Sequence, residues 1–250
     1  LDHAAAERAA ALLAAARTGP LLDRLPDDLQ PQTSADTYAI QSAIAARLGE
    51  KIAGWKVATM PGLGFCKAIL LGSRVFGDGA TIPARLMPML GIEAEIAFRF
   101  DKPLPARAAA YTREEVAAAV TAFPAIEVID TRFRDFDGTP AIDRTADFMS
   151  NGGFVVGPDR PDWRNFDLAK LEASVIVNGK IAVRKAGGHA AGDAFIPAID
   201  LANDLRGAGG TPVGMVVTTG TFTGVTKVKP GDRIEVAFTG FGAVTVRFAA

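Results

Sequence analysis

At 250 residues, with 49% hydrophobic and 22% charged side chains, the chain has the composition of an ordinary globular protein long enough to bury a full core. Its formal net charge of −1 offers no electrostatic case for nucleic acid or an acidic membrane surface as a partner. A single cysteine, Cys66, excludes an intrachain disulfide and a thiolate metal cluster.

The first fifty residues read as a helical layer. "DHAAAERAAALLAAARTG" is rich in strong helix formers and ends on the stop signal Gly19-Pro20. Its acidic and basic residues are mixed, with no basic segment before an apolar run, so it reads poorly as a signal peptide. After the proline-punctuated connector "LLDRLPDDLQP", the stretch "SADTYAIQSAIAARLGE" offers Ser34 as an N-cap and sets Ile40, Ile44 and Leu48 on one stripe.

From residue 51 the texture changes. "KIAGWKVAT" reads as a strand, "PGLGFCKAILLGSRVFGDGATIP" as loop-rich, and "GIEAEIAFRF" (91–100) as a strand again. The apolar neighbours of Cys66 mark it as a buried structural thiol. "YTREEVAAAVTAF" is a helix with Thr112 and Glu115 placed as a capping box, and "PAIEVIDTRF" returns to strand. Strand, helix, strand at this spacing predicts a crossover unit whose parallel strands can be neighbours.

The last hundred residues are mostly β. "ASVIVNGKIAVRKAG" alternates on both sides of Asn178-Gly179, a hairpin signal. "IPAIDLANDLRGAGG" is a helix closed by glycines, and "GMVVTTGTFTGV" and "DRIEVAFTGFGAVTVRF" are strands with glycine-rich turns. No repeat or low-complexity linker interrupts the chain. We expect one domain over 1–250, with 1–50 as the helical N-terminal layer. No apolar run reaches the roughly 18 residues needed to span a bilayer, and a cytoplasmic protein is the simplest expectation.

Residues two apart on a strand share a face, so Glu93 and Glu95 point the same way and each raises the other's pKa. If the crossover holds, Glu127 sits on the strand beside them. Three converging carboxylates with no lysine or arginine balancing them in the same runs call for a hard divalent cation, Mg²⁺ or Mn²⁺. Zinc fits less well, because His3 and His189 are far apart and Cys66 lies in neither carboxylate run. The plain alternative is a solvated face.

Lys56 is a single charge inside a strand-like run: either a desolvated acid or base, or an edge-strand lysine that discourages sheet pairing. "TTGTFTG" (218–224) offers hydroxyls and backbone N–H groups to an anionic oxygen, or is a plain hairpin turn. It lacks the phosphate-loop pattern, "GAGG" at 207–210 reads as a helix stop, and there is no Gly-x-Ser-x-Gly elbow.

In order, "YAIQ", "GWKVA", "GIEAEIAF", "AIEVIDTRF", "ADFMSNGGFVVG", "VNGK", "TTGT" and "VKPGDRIEVAFTGFGAVTVRF" resemble the fumarylacetoacetate hydrolase superfamily, and within it the 2-keto-4-pentenoate hydratase branch. The resemblance runs from about Ser34 to Phe248. It implies an α+β fold, a mixed β-roll over 51–250 beneath the helical layer, and a divalent metal, usually Mg²⁺. Glu93, Glu95 and Glu127 match the metal carboxylates, and Lys56 the lysine at the substrate.

Asp147 and Ser150 fall in a catalytic motif that usually reads Asp-Asn-x-Ser, with Phe148 here in place of the Asn. Thr219, Gly220 and Thr221 stand where the hydratases tend to read Ser-Gly-Ala and would hold the substrate carboxylate. The segment after His189 also departs, lacking the Pro and Trp common in hydratases.

The implied activity is addition of water to a 2-hydroxy-2,4-dienoate by way of a metal-stabilised enolate, with Lys56 moving the proton. A 2-oxo-enedioate decarboxylase is the nearest rival, and a second basic group in the pocket would favour it. Carbon–carbon hydrolysis of an acylpyruvate commonly uses a Glu–His pair, and no histidine lies between His3 and His189. A glycosidase needs carboxylates facing each other at roughly 5 Å or more, which neighbours on one strand fit poorly. A non-catalytic binding module on the same fold is the remaining alternative. The resemblance further implies a small-molecule 2-keto acid as ligand, a homo-oligomer, and association with a decarboxylase or hydratase partner.

Overall fold

A computed structural model describes residues 1–60 and 62–250. Two helices open it, α1 (His3–Ala15) and α2 (Ser34–Arg47). The cap of α2 is Thr33, not Ser34. Thr33 Oγ1 accepts from Asp36 N–H, and the Asp36 carboxylate accepts from Thr33 N–H, a reciprocal pair that Ser34, one residue inside the helix, does not make.

The strands follow in chain order: β1 (Ile52–Met60), β2 (Gly64–Leu71), β3 (Val75–Gly77) and β4 (Ala80–Pro83). β5 (Gly91–Phe100) and β6 (Leu104–Pro105) precede the short helix α3 (Arg113–Ala117), and β7 (Val120–Ile129) follows it. After α4 (Ala141–Ala146) come β8 (Asn151–Val156), β9 (Glu172–Val177) and β10 (Lys180–Ala186). After α5 (Ile196–Leu205) come β11 (Gly210–Thr211), β12 (Val216–Thr221), β13 (Thr226–Lys227), β14 (Arg233–Phe238) and β15 (Gly242–Ala249).

One mixed sheet runs β2-β1-β12-β5-β7-β8-β3, with β13 added to β5; a second runs β10-β9-β14-β15-β4, and β11-β6 form a small pair. The expected α+β class and the Asn178-Gly179 hairpin are both present. Phenylalanines 98, 100, 195, 222, 238 and 248 are buried together in the main core. A separate cluster seats α1 and α2 on β2 through Leu13, Ile40, Ile44 and Ile69. Leu48 is left exposed at the end of its expected stripe. Cys66 is fully buried in the same cluster, and burial pushes its thiol pKa up, as a structural thiol requires. Among the described residues, no helix is long and apolar enough to cross a membrane.

Two further expectations are corrected. The stretch read as loop-rich contains β2, which pairs antiparallel with β1 from Gly64 to Leu71; its run "FCKAILL" is a buried strand that the flanking glycines disguise. Pro61, at the head of that stretch, lies outside the described residues. The strands β5 and β7 are antiparallel, not parallel. α3 closes after five residues, because Val120, Thr121 and Phe123 favour strand, and a helix that short does not carry a crossover. The antiparallel register still sets Glu93 directly opposite Glu127.

β1 and β12 lie close together because Gly54 has no side chain: a Cβ there would stand 1.9 Å from the Val216 carbonyl oxygen. Gly54→Ala should force these strands apart and lower stability by about 3 kcal/mol, the upper range for overpacking. Urea unfolding checks this, and an unchanged midpoint would show that the contact is relieved elsewhere.

Candidate metal centre

Alternation along β5 turns Glu93 and Glu95 to one face, and β7 adds Glu127 opposite Glu93. One carboxylate oxygen from each lies within 4.8 Å of the others, and all three side chains are buried. Lys56 reaches them from β1. Its Nζ lies 2.8 Å from Glu127 Oε1 and donates to the Met149 carbonyl at 3.1 Å. The lysine is thus an inward-facing charge among the carboxylates, with β1 flanked by β2 and β12, not an edge-strand guard.

The remaining bonds orient the carboxylates and leave specific oxygens free. Glu127 Oε1 also accepts from Asn151 Nδ2 at 2.8 Å. Glu95 Oε2 accepts from the Thr218 hydroxyl and from Gly220 N–H at 3.1 Å. Among the described residues, Glu95 Oε1, Glu127 Oε2 and Ser150 Oγ are buried without a partner. Buried oxygens left unpaired are destabilising unless something electropositive meets them. Two of these three are carboxylate oxygens of one converging trio, a donor set suited to a hard divalent cation.

The electrostatics agree. Burial pushes the Glu93 pKa up to about 7, with the Lys56 charge opposing and Glu127 adding to the rise. Burial likewise pushes Glu127 up to about 8 against the pull of Lys56. Glu95 is raised by burial and by the neighbouring Glu93 charge. For Lys56, burial works to lower the pKa, but Glu127, Glu93 and Glu95 together outweigh it and the net direction is upward. One ammonium does not balance three buried carboxylates.

A bulge in β12 shapes the neighbouring turn. Thr218 pairs with Ala97 and Thr221 with Glu95, so β12 spends one more residue than β5 over the interval. Gly220 takes a φ of 112°, and a Cβ there would crowd His189 Nε2 at 3.3 Å. His189 Nδ1 accepts from Ala191 N–H, so Nε2 carries the proton and donates to the Thr219 carbonyl at 2.9 Å. Burial lowers the His189 pKa, in keeping with this neutral imidazole. Thr219 turns its hydroxyl away, to the Ile96 carbonyl at 2.8 Å, whereas Gly220 and Thr221 face the cavity.

That cavity, about 240 Å³, is lined by Lys56, Glu93, Glu95, Ser150, Gly220 and Thr221, together with apolar side chains and Arg144. Of the residues singled out in the sequence, Glu127 lies fully buried behind it. Asp147 stands outside the lining, its carboxylate bound to Arg132 Nε at 2.5 Å and to Arg132 N–H at 3.0 Å. A larger cavity of about 550 Å³, lined in part by Arg17, Arg85, Arg132 and Arg134, shares Phe136 with the first but contains none of the three glutamates.

The Asp147–Arg132 pair has a visible task. Phe148, Met149 and Ser150 all hold φ between 51° and 59°, three successive non-glycine residues in the left-handed region. Each such residue is strained by roughly 1–2 kcal/mol and persists only where neighbours over-determine it. Here Ser150 N–H donates to the Asp147 carbonyl, Lys56 holds the Met149 carbonyl, and the buried pair anchors the start. Asparagine tolerates this conformation far better than phenylalanine, so Phe148 is a physically meaningful departure; its ring sits beneath the Arg17 guanidinium, 5.6 Å away. Asp147→Ala would take from the buried Arg132 its closer carboxylate and leave only Asp130, whose Oδ2 lies 3.3 Å from Nη1, and should lower stability by about 3 kcal/mol. Thermal unfolding tests this, and a loss under about 1 kcal/mol would contradict the anchoring role.

Thr218 and Asn151 lie inside the quoted stretches "TTGTFTG" and "ADFMSNGGFVVG", where the sequence reading gives neither an individual role, and it passes over Arg144. Arg144 offered only its place three residues before Asp147.

Comparison with known proteins bears on the same residues. The family model described as "Fumarylacetoacetate (FAA) hydrolase C-terminal" matches residues 43–249. A 2-keto-4-pentenoate hydratase 1 of Dechloromonas aromatica (strain RCB) is 31% identical, covering 97% of this chain and 97% of that protein. A 4-oxalocrotonate decarboxylase of Pseudomonas putida is 29% identical over 91% of this chain and 90% of its own length. The solved 4-oxalocrotonate decarboxylase from Pseudomonas putida G7, complexed with magnesium and adipate, matches with a TM-score of 0.85 at 27% identity, covering 99% of this chain and 98% of that one.

Proposed function

The chain belongs to the fumarylacetoacetate hydrolase family, and from that premise we propose that it is a divalent-metal-dependent hydratase that adds water to a 2-hydroxy-2,4-dienoate. The observation that carries this is the buried trio Glu93, Glu95 and Glu127, with Glu95 Oε1 and Glu127 Oε2 unpaired. Relatives named as hydratases that align over nearly the whole chain support it. Mg²⁺ is the cation we assign, with Mn²⁺ as an alternative of the same hard-oxygen class. Glu93, Glu95 and Glu127 would hold it, and it would supply Lewis-acid chemistry to the head group of a 2-keto acid.

The chain's own residues do the rest. Gly220 and Thr221 line the cavity where the acid's head group enters, and Ser150 Oγ offers a hydroxyl without a protein partner. Lys56 Nζ, held by Glu127 and the Met149 carbonyl, is the group we assign to proton transfer. The substrate loses its 2-hydroxyl proton and gains one at C5, giving a 2-keto-3-enoate. Water then adds across C3=C4, oxygen to C4 and hydrogen to C3. Asp147 acts as a positioning residue through Arg132, and Thr219 through the turn it shares with His189. We further place the protein in the cytoplasm as a homo-oligomer acting on a small 2-keto acid.

A decarboxylase acting on a 2-oxo-3-enedioate would use the same head-group chemistry, and the decarboxylase relatives favour it as the second reading. The experiment is direct turnover of both substrates by metal-stripped protein with and without Mg²⁺. Mg²⁺-dependent conversion of 2-hydroxypenta-2,4-dienoate to 4-hydroxy-2-oxopentanoate, read by NMR, is expected. Carbon dioxide release from the enedioate without any hydration would shift the assignment to the decarboxylase, and no turnover of either would leave a binding module.

A further inference from the structure

One residue of the cavity has no part in the head-group chemistry. Arg144, carried by α4 and not by the sheet that bears the carboxylates, lines the same cavity as Lys56, Glu93 and Glu95. Among the described residues its guanidinium makes no ion pair, and its Nε is buried with no hydrogen-bond partner. The guanidinium lies over the Phe136 ring, 5.4 Å from Cζ to the centroid, and Phe136 lines the cavity too.

Apart from the polar groups around the glutamates, the remaining lining is apolar: Met60, Ile129, Met149 and Val225 among others. An alkyl tail would be served by such a wall without a cation in it. A guanidinium is always charged and presents a planar fork of donors that matches a carboxylate. An unpaired one, steadied on an aromatic ring at the margin of an apolar cavity, is a receptor for an anion.

We infer that Arg144 receives the far-end carboxylate of the substrate, so that the cavity takes a 2-oxo dicarboxylic acid in preference to a 2-oxo acid with an alkyl tail. This rests on the 2-keto acid reading of the glutamate site and deepens it: the substrate is a 2-hydroxy-2,4-dienoate or 2-oxo-enoate that carries a second carboxylate, and 2-hydroxypenta-2,4-dienoate is turned over as a truncated analogue that leaves Arg144 unused.

Two saturated six-carbon ligands isolate the far end: 2-oxoadipate ends in a carboxylate where 2-oxohexanoate ends in a methyl group. Each is titrated calorimetrically into the full chain loaded with Mg²⁺. 2-Oxoadipate should bind about ten- to a hundredfold more tightly, the range for a charge-assisted hydrogen-bonded pair. In Arg144→Met the ratio should fall to about one, and in Arg144→Lys it should fall in between. Equal affinities in the unaltered protein would overturn the inference, as would a preference that survives in Arg144→Met. 2-Oxohexanoate binding without that preference strikes the Arg144 assignment alone. Failure of both ligands to bind in the presence of Mg²⁺ removes the 2-keto acid reading and the inference with it.

Discussion

Glutamine at position 95 is expected to weaken metal binding by about a hundredfold or more, abolish metal-dependent turnover, and yet make the metal-free protein more stable at pH 8. Changes one step removed from a metal already weaken binding tenfold to a hundredfold, and Glu95 is one of the three carboxylates themselves. The stability half of the expectation comes from burial. Glu95 is 0% exposed, and its pKa is raised by burial and by the Glu93 charge. A carboxylate whose folded-state pKa lies above its unfolded value binds protons more tightly when folded. Its contribution to stability is therefore full below the unfolded value and is lost as pH rises through the folded one.

Glu93 and Glu127, pushed up to about 7 and about 8, place that loss between roughly pH 4.5 and 8 in the metal-free protein. A glutamine cannot ionise. Its amide oxygen can still accept from Thr218 and Gly220, so the variant escapes the loss at position 95, and a gain of about 1–3 kcal/mol at pH 8 is expected. Chemical denaturation at pH 5 and pH 8, without metal, reads this directly. A variant less stable than the parent at pH 8 would show that Glu95 is well solvated or well paired in the free protein. The same linkage implies that Mg²⁺ stabilises the unaltered protein more at pH 8 than at pH 5, because protons compete for the same oxygens.

The second large effect concerns Lys56. Lys56→Met should lower kcat by about a hundred- to ten-thousandfold, the usual range for loss of a positioned acid or base. Mg²⁺-dependent binding of pyruvate should persist, since methionine still fills the stem's space and the glutamates remain. That split separates proton transfer from architecture. Loss of pyruvate binding together with kcat would instead make Lys56 a holder of Glu127, to which its Nζ lies at 2.8 Å. A kcat within about threefold of the parent would exclude Lys56 from the chemistry.

The carboxylate site was legible in the sequence for a simple reason. The alternation of β5 fixes Glu93 and Glu95 on one face whatever the neighbouring strands do. Glu127 came into register even though the direction of its strand was misjudged, because an antiparallel β7 opposes Glu93 as well as a parallel one would have neighboured it. The error lay in α3: a good capping box marks where a helix starts, and says nothing of how soon β-favouring residues end it.

Other features depend on contacts that only the folded chain creates. The strand β2 hides between glycines in a stretch read as turns. The exposed N-terminal face of α2 gave two hydroxyl residues in succession, Thr33 and Ser34, and only the reach of Asp36 decides between them. Asp147 was singled out for catalysis, but its carboxylate points to Arg132, a partner fifteen residues away that no local pattern connects to it. The left-handed run from Phe148 to Ser150 is likewise invisible, because Phe and Met give no hint of positive φ. Arg144 reaches the cavity from a six-residue helix too short to show a periodic face.

The central claim is that Glu93, Glu95 and Glu127 hold a divalent cation to which a 2-keto acid binds. The most direct measurement is calorimetric titration of pyruvate into the metal-stripped protein, with and without Mg²⁺, beside the same titration of Glu95→Gln. Binding that requires Mg²⁺ in the parent and is absent in the variant is the predicted result. Binding of equal strength without Mg²⁺, or no binding under either condition, would contradict it.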